Sequence, residues 1–576
     1  MRLFRSVAIV SFFCLLIAGC SRSRVVEIRI VSTTDVHGRI FDKDILDGTE
    51  RKGSLAKVST LLRNERRNNR HLIYLDAGDI LQGSIEVYQD ATAQYYRSSL
   101  PAEAYKYLDC RAMALGNHEL SSGVQSYERF IRTADFPVMG ANICFDRYGD
   151  YLWPYCIFEE GGVKIAVLAL TTPIVSFSIP KDRMGELTAK DPQEAARHYV
   201  ADVREKADVL IGLFHSGYQG GRNYDGVCEN IVKEFIDMFP EFDLILFGHD
   251  HVPFCKKEAR AGGDSILLMN AGPFAEHAAV ATLRVDYSQG EKPKVSACGE
   301  LVDVTPLAPD VRFMSAVSGW YDDVNRYADS IIGTLSVPLE CNAALWRPVS
   351  TIDYIHETQL GFFGAQVSLA APVSTVPYIP AGDFRIRDAF SLYKFDNNMV
   401  SVMLKGCEIK NVLEYSADLY YCDAGAGLGH ILKLKTDPES GKKMPENDAS
   451  GFISAAGINY TIDVTKPYGK RVEITSMSDG HPFEEDRMYR TTINSFLYSG
   501  AESVLLKGSG VSRGEIQSRL NCSSEADIRY YMLTDFWLKR EAGKGVNPKK
   551  VSNWRLIPED VVSAYLASDT INFTII

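Results

Sequence analysis

The 576-residue chain is 46% hydrophobic, and its 62 lysines and arginines face 74 aspartates and glutamates, for a net charge of −12. That length exceeds what one hydrophobic core supports and predicts two domains of a few hundred residues each. The acidic balance argues against charge-driven binding of long nucleic acid, so an anionic ligand has to be met by local positive charge.

Arg2 and Arg5 precede an apolar run from Val7 to Ala18 that is short for a bilayer span. Ile17-Ala18-Gly19-Cys20 resembles a bacterial lipobox, which implies a 1–19 leader cleaved before Cys20 and a diacylglycerol on its sulfur; a plain secretory leader is the alternative. A lipidated Cys20 would anchor the protein, with residues 20–26 as tether, on a membrane of the periplasm or cell surface. The ten other cysteines, Cys110 to Cys522, have no Cys-x-x-Cys spacing. That argues against a thiolate metal site and leaves any disulfide pairing open.

Between 27 and 305, strand-like runs alternate with helical ones, as in a layered α/β domain. Ser54–Asn69 reads as a helix with Leu55, Val58, Leu61 and Leu62 on one face and its arginines on a solvated side. Val163–Leu170, Val209–Phe214 and Leu244–Phe247 read as central strands buried on both faces. Ile266–Met269 and Ala278–Val285 suggest a closing hairpin. From 306 to 333, Phe313, Val317, Trp320, Val324, Tyr327 and Ile331 recur every three or four residues, predicting one long linker helix. The remainder, 334–576, mixes helices such as Ile352–Phe362 with strands such as Val400–Leu404 and Tyr460–Val464. Asp437–Ser450 reads as a surface loop.

Chemistry concentrates at the ends of five apolar runs. Ile73-Tyr74-Leu75-Asp76-Ala77-Gly78-Asp79 ends on a glycine turn and a carboxylate. Val26–Val31 leads to Asp35-Val36-His37, Ala112–Leu115 to Gly116-Asn117-His118-Glu119, Val209–Phe214 to His215, and Leu244–Phe247 to Gly248-His249-Asp250-His251. These motifs hold five of the eleven histidines. Open α/β sheets bind ligands at the carboxyl ends of their strands. Imidazole, carboxylate and carboxamide donors without thiolates suit divalent ions such as Zn or Mn.

These motifs, in this order, resemble the calcineurin-type metallophosphoesterase signature. With Ser32-Thr33-Thr34-Asp35-Val36-His37-Gly38 and Asp76-Ala77-Gly78-Asp79-Ile80-Leu81-Gln82-Gly83, they are similar to the 5′-nucleotidase and 2′,3′-cyclic-nucleotide 2′-phosphodiesterase/3′-nucleotidase branch. The resemblance implies a four-layer α/β/β/α domain, a linker helix and an α+β C-terminal substrate-binding domain. It implies two divalent ions, one on Asp35, His37, Asp79 and His251 and the other on Asp79, Asn117, His215 and His249. His118 would face the phosphoryl group as a catalytic residue. In the 5′-nucleotidases an aspartate three positions on orients that histidine; here the position is Ser121.

Leu392–Asn398 and Ile493–Gly500 resemble the family's base-binding loops, which implies that Phe395 and Phe496 stack on a nucleobase while Asn397 bonds its edge. Residues Pro372–Asp383 lack the Gly-Gly-Ile-Arg segment typical of 5′-nucleotidases, and Ile379–Asp383, Leu392-Tyr393 and Gly457–Thr465 are closer to the cyclic-phosphodiesterase side. The expected function is exported hydrolysis of nucleotides, leaning to 2′,3′-cyclic and 3′-nucleotides. The alternatives are a 5′-nucleotidase or UDP-sugar hydrolase, a phosphoesterase of other substrates with both phenylalanines in its core, or a non-catalytic surface protein. No protein partner is inferable.

Overall fold

A computed structural model describes residues 24–572 except 93–97, 146–151, 180, 225, 289–291, 375, 424–429, 437–440, 442 and 500–503. The leader and Cys20 lie outside the described residues. The chain divides into two compact units, one up to Asp322 and one from Asp323.

The first unit is built on two sheets. The seven-stranded one runs Lys294–Asp303, His277–Asp286, Val25–Thr33, Leu72–Asp76, Cys110–Ala114, Val138–Met139 and Leu152–Trp153. Its first strand begins inside the expected tether, since Val25 already pairs with Asp286. The six-stranded sheet runs Phe254–Ala259, Ser265–Asn270, Leu244–Phe247, Val209–His215, Val163–Thr171 and Tyr155–Glu160. The three strands expected to be central are central. Alternation along each strand sends one set of side chains between the sheets and the other outward. Ile28, Ile30, Ile73 and Leu75 of the first sheet therefore share one core with Ile165, Val167, Val209 and Ile211 of the second. On the outer face of the second sheet, Ala166, Leu168, Leu210 and Phe214 pack against Val200, Val203, Phe235 and Ile236 of the helices Pro192–Lys206 and Val232–Met238. Tyr74 on the outer face of the first sheet meets Tyr105 of the helix Leu100–Tyr107 at 6.2 Å between ring centroids. The result is α/β/β/α.

The helix expected at Ser54–Asn69 spans Leu55–Asn68, with the Ser54 hydroxyl accepting from Lys57 N. Its arginines are not all free of the fold: Arg63 pairs with Asp310 at 2.7 Å, and Arg66 donates to the Leu108 carbonyl at 2.7 Å.

Three expectations need correction. Ser265–Asn270 and His277–Asp286 belong to different sheets and form no hairpin; between them Phe274 and Ala275 take left-handed backbone (φ 63° and 51°) as the chain crosses over. The helix expected over 306–333 is two helices, Val311–Ala316 and Ser318–Ala328, followed by a strand, Ile331–Leu335. Val317 closes the first at φ −101°, ψ 8°, where Ser318 and Gly319 weaken helical continuity. Periodicity could not show the break, because Phe313, Val317 and Val324 are buried on both sides of it. Within Asp437–Ser450, Lys443–Pro445 pairs with Leu434–Thr436 as a short hairpin.

The second unit centres on a five-stranded sheet, Ser454–Ala456, Val367–Ala370, Met488–Asn494, Asn398–Lys405 and Leu520–Asp527. A three-stranded sheet joins Val472–Met477, Ile458–Asp463 and Asn553–Ile557. The helix Gly406–Tyr420 buries Ile409, Val412 and Leu413 in the same core as Val400, Val402 and Tyr489.

His356, on the helix Ser350–Phe363, is wholly buried, with Nδ1 2.8 Å from Ser368 Oγ and Nε2 3.2 Å from Ser454 Oγ. Burial pushes this imidazole down to about 3 from its ordinary 6.5. Its neutral form is thus favoured by folding; the contribution is complete above pH ~6.5 and is lost as pH falls toward 3. We predict that unfolding free energy drops by about 2–3 kcal/mol between pH 7 and 4.5 from this residue. Urea titrations of wild type and His356→Gln at both pH values test it; an equal acid sensitivity of the two proteins contradicts it.

Candidate metal centre

Parallel strands point one way, so their carboxyl ends collect along one edge. Asp35, Asp79 and Asn117 follow the ends of Val25–Thr33, Leu72–Asp76 and Cys110–Ala114; His215 ends its strand, and His249 and His251 follow Leu244–Phe247. Backbone bonds tie the loops together: Asp35 N donates to Gly78 O (2.8 Å), His37 N to Asp79 O (2.9 Å) and Gly248 N to Phe214 O (3.1 Å).

Two groups of possible ligand atoms result, Asp35 with His37 and His251, and Asp79 with His215 and His249, each within 4.8 Å of one another. Asn117 Oδ1 lies 3.2 Å from His215 Nε2, and His215 Nε2 lies 3.0 Å from Asp79 Oδ2. All seven residues singled out in the sequence are thus gathered at one edge. Five of them, Asp35, His37, Asp79, His249 and His251, hold left-handed backbone with φ between 50° and 81°. Such conformations are costly for non-glycine residues and gather at functional sites. The glycines beside them make room: a Cβ on Gly116 would stand 2.0 Å from Asp79 Oδ1, and one on Gly248 1.8 Å from Thr34 Oγ1.

The donor chemistry fits divalent ions. His37 Nδ1 lies 2.9 Å from the Gln82 carbonyl and His215 Nδ1 2.8 Å from the Ala77 carbonyl, so each donates there and turns a lone pair on Nε2 inward. His37 Nε2 then meets His251 Nε2 at 3.0 Å, and His251 Nε2 meets Asp35 Oδ1 at 3.4 Å. Converging acceptors need a cation or protons between them. Burial opposes charge on His215, but Asp79 and Asp35 pull it up to about 10; burial likewise opposes ionisation of Asp35, yet His251 and His215 hold it down at about 2. His249 Nε2 is 2.9 Å from Glu229 Oε1, the carboxylate–imidazole support usual behind metal ligands.

His118 ligates nothing in this arrangement. Its Nε2 is 3.9 Å from Asp79 Oδ2, and burial lowers it to about 4 against the pull of Asp79. Its backbone N donates to Asp79 Oδ1 at 2.8 Å. Nδ1 meets Gln82 Oε1, while Ser121 Oγ stands 3.5 Å from Nδ1 and donates to Gln82 Oε1 at 3.0 Å.

The remaining predicted contacts, Phe395, Asn397 and Phe496, belong to the second unit. Both phenylalanines are exposed, 40% and 59%, which argues against core roles. Tyr393 Oη, itself buried, takes bonds from Asn397 Nδ2 and Asn494 Nδ2 at 3.3 Å each and so joins their two loops. Arg529 braces the first loop through Asp396, the Tyr393 and Lys394 carbonyls and the Phe390 ring.

Sequence reasoning missed Gln82, Glu119 and Glu229. The first two stand within the motifs, and their neighbours drew the attention; Glu229 lies outside every motif, and only folding brings it to His249. Glu119 is wholly buried and accepts from the backbone N of Asp79 (2.8 Å), Ile80 (2.7 Å), Leu81 (3.1 Å) and Gly116 (2.8 Å). We predict that Glu119→Gln, which turns an NH₂ toward N–H donors, costs about 3–5 kcal/mol and at least about tenfold in metal affinity. Denaturant unfolding and metal titration of the apoprotein check this; unchanged values in both refute it.

Two family models match the chain: calcineurin-like phosphoesterase over residues 28–253 and the 5′-nucleotidase C-terminal domain over residues 331–507. The chain is 24% identical over 607 aligned positions to a 2′,3′-cyclic-nucleotide 2′-phosphodiesterase/3′-nucleotidase of Salmonella typhimurium, covering 94% of this chain and 91% of the relative. It is 30% identical over 553 positions to a 5′-nucleotidase of Diplobatis ommata, covering 86% of each. In fold it is similar to a Staphylococcus aureus protein solved as a candidate 5′-nucleotidase, with a TM-score of 0.69 at 20% identity, over 92% of this chain and 100% of that one. The calcineurin-like phosphoesterases use a dimetal centre, and the two groups of ligand atoms stand where this chain would hold one. The chain belongs to the 5′-nucleotidase branch of the calcineurin-like phosphoesterases and is a hydrolase of phosphate esters.

Proposed function

We propose that this chain hydrolyses nucleotides and prefers 2′,3′-cyclic and 3′-nucleotides over 5′-nucleotides. The observation that carries the preference is the group facing His118 Nδ1: a neutral Gln82 carboxamide with Ser121 beside it, where 5′-nucleotidases place an aspartate. Similarity to the Salmonella relative over nearly the full length of both chains supports the same reading.

When bound, two divalent ions, Zn or Mn by donor type, supply Lewis acidity that activates water and offsets phosphoryl charge. Asp35, His37 and His251 would hold one, Asn117, His215 and His249 the other, with Asp79 shared. Asp79 is fixed for this by the His118 backbone N and His215. His118 turns Nε2 toward the same carboxylate, where it stabilises charge on the phosphoryl group and carries the proton for the leaving oxygen. In the second unit, the exposed faces of Phe395 and Phe496 are offered to a nucleobase and Asn397 to its edge. A 5′-nucleotidase or UDP-sugar hydrolase is the second reading, favoured by the 30% identity to the Diplobatis enzyme.

Steady-state hydrolysis of 2′,3′-cyclic AMP, 3′-AMP, 5′-AMP and a UDP-sugar by the metal-loaded protein tests the choice. We expect kcat/KM to be highest for the first two; a preference for 5′-AMP or the UDP-sugar selects the second reading, and no turnover with metal bound rejects both. Asp79→Asn should lower kcat at least about a hundredfold, since it removes a charge shared by both sites. Unchanged turnover with unchanged metal content would refute Asp79 as the shared ligand. We also propose export with lipidation at Cys20, on the strength of Ile17-Ala18-Gly19-Cys20. Incorporation of labelled fatty acid by wild type but not Cys20→Ala is the expected result, and equal labelling contradicts it.

A further inference from the structure

His118 is the one non-ligating imidazole at the centre, and an imidazole acts through a given nitrogen only when the other is committed. The structure offers two partners for Nδ1. Ser121 occupies the position that the family's pattern suggests, but its Oγ is 3.5 Å from Nδ1 and its own hydrogen is directed to Gln82 Oε1 at 3.0 Å. Gln82 Oε1 is the closer group, and it receives both His118 Nδ1 and Ser121 Oγ. Two donors converging on one atom identify it as the carboxamide oxygen.

The main chain of Gln82 is equally committed. Its carbonyl accepts from His37 Nδ1 at 2.9 Å, so one residue aims a metal ligand with its backbone and His118 with its side chain. Its place is set from both sides. Glu119 Oε1 accepts from Ile80 N and Leu81 N just before it, and Gly83, at φ 120°, brings its backbone so near that a Cβ there would lie 2.9 Å from His37 Cβ.

We propose that Gln82, rather than Ser121, is the positioning residue of His118: its side-chain oxygen holds the Nδ1 hydrogen, sets the tautomer and directs Nε2 at the phosphoryl group. Ser121 supports Gln82 and does not orient the ring itself. This deepens the functional reading above, since it assumes that His118 serves phosphate-ester hydrolysis. In that step a water oxygen bonds to phosphorus while releasing a proton to solvent. The bond from phosphorus to the leaving oxygen breaks, and the leaving oxygen takes the proton carried on His118 Nε2. A poor leaving group depends on that proton; a good one depends on it much less.

The test compares Gln82→Met, Gln82→Glu and Ser121→Ala on phenyl phosphate and p-nitrophenyl phosphate, with metal content and thermal stability measured in parallel. These esters differ in leaving group and need no nucleoside contact. A protein that cleaves them but no nucleotide therefore fails the substrate reading and still tests this one. We expect Gln82→Met, which keeps volume and removes the acceptor, to lower kcat on phenyl phosphate about 10–100-fold with KM and metal content little changed, and to lower kcat on p-nitrophenyl phosphate several-fold less. Gln82→Glu restores an oxygen acceptor and should retain kcat within about fivefold of wild type, and Ser121→Ala within about threefold. Equal losses on both esters, a loss that tracks metal content, or a Ser121→Ala defect as large as that of Gln82→Met overturns the proposal. Should Gln82→Met fail to fold, the comparison of Gln82→Glu with Ser121→Ala decides: the proposal falls if the former is the more defective on phenyl phosphate.

Discussion

The centre depends on one buried carboxylate. Glu119 accepts four backbone N–H groups, three from Asp79–Leu81 and one from Gly116, and so locks the loops after two neighbouring strands to each other. Burial and the neighbouring Asp79 push its carboxyl up to about 7, while the N–H groups of Asp79 and Leu81 oppose that shift. The bonds matter because the loops they hold are strained. Asp79 sits at φ 67° between Gly78 at 101° and the turn to Gln82, and an unanchored loop would relax to ordinary backbone. The same carboxylate therefore governs the ligand Asp79, the backbone of Gln82 and, through Gly116, the approach of Asn117 and His118.

Around that anchor the fold separates work by layer. Apolar strands between the sheets supply a rigid floor, with Ile30, Ile73, Ala112, Ile211 and Leu244 fully buried. Rigid strand ends then fix loop positions, and the loops carry every polar group of the centre. The left-handed residues and the close glycines show how densely those loops are packed: Gly116 and Gly248 admit no side chain because carboxylate and hydroxyl oxygens occupy the space. The second unit uses another device at its exposed aromatics. Phe395 and Phe496 project from loops joined at Tyr393 Oη, so two surface rings rest on a buried hydroxyl and a buried guanidinium.

The outline of this protein was legible in its sequence because strand-end motifs are local. Asp35-Val36-His37, Gly78-Asp79, Asn117-His118 and His249-Asp250-His251 each place ligand-type side chains a few residues beyond an apolar run, and a parallel sheet carries such ends to one edge. Central strands were legible for the same reason, since burial on both faces leaves an unbroken apolar run. The linker was not. Phe313, Val317 and Val324 keep helical spacing across a real break, because periodicity reports which side is buried and not whether the backbone is continuous. The expected closing hairpin failed similarly, as two adjacent strands can join different sheets when the residues between them, here Phe274 and Ala275, turn the chain aside.

What the sequence by itself determined is the set of ligand-type residues, their order and the α/β class, all properties of short stretches. Which groups stand behind those residues was decided only in three dimensions. Glu229 meets His249 from 20 positions away, Gln82 meets His118 across 36, and Glu119 reaches Leu81 across 38. Hydrogen bonds of that span depend on how loops from different strands cross, and nothing in the local residue pattern encodes the crossing. The departure at Ser121 shows the difference: sequence identifies a missing carboxylate, and tertiary structure supplies the Gln82 oxygen that takes its place beside the imidazole.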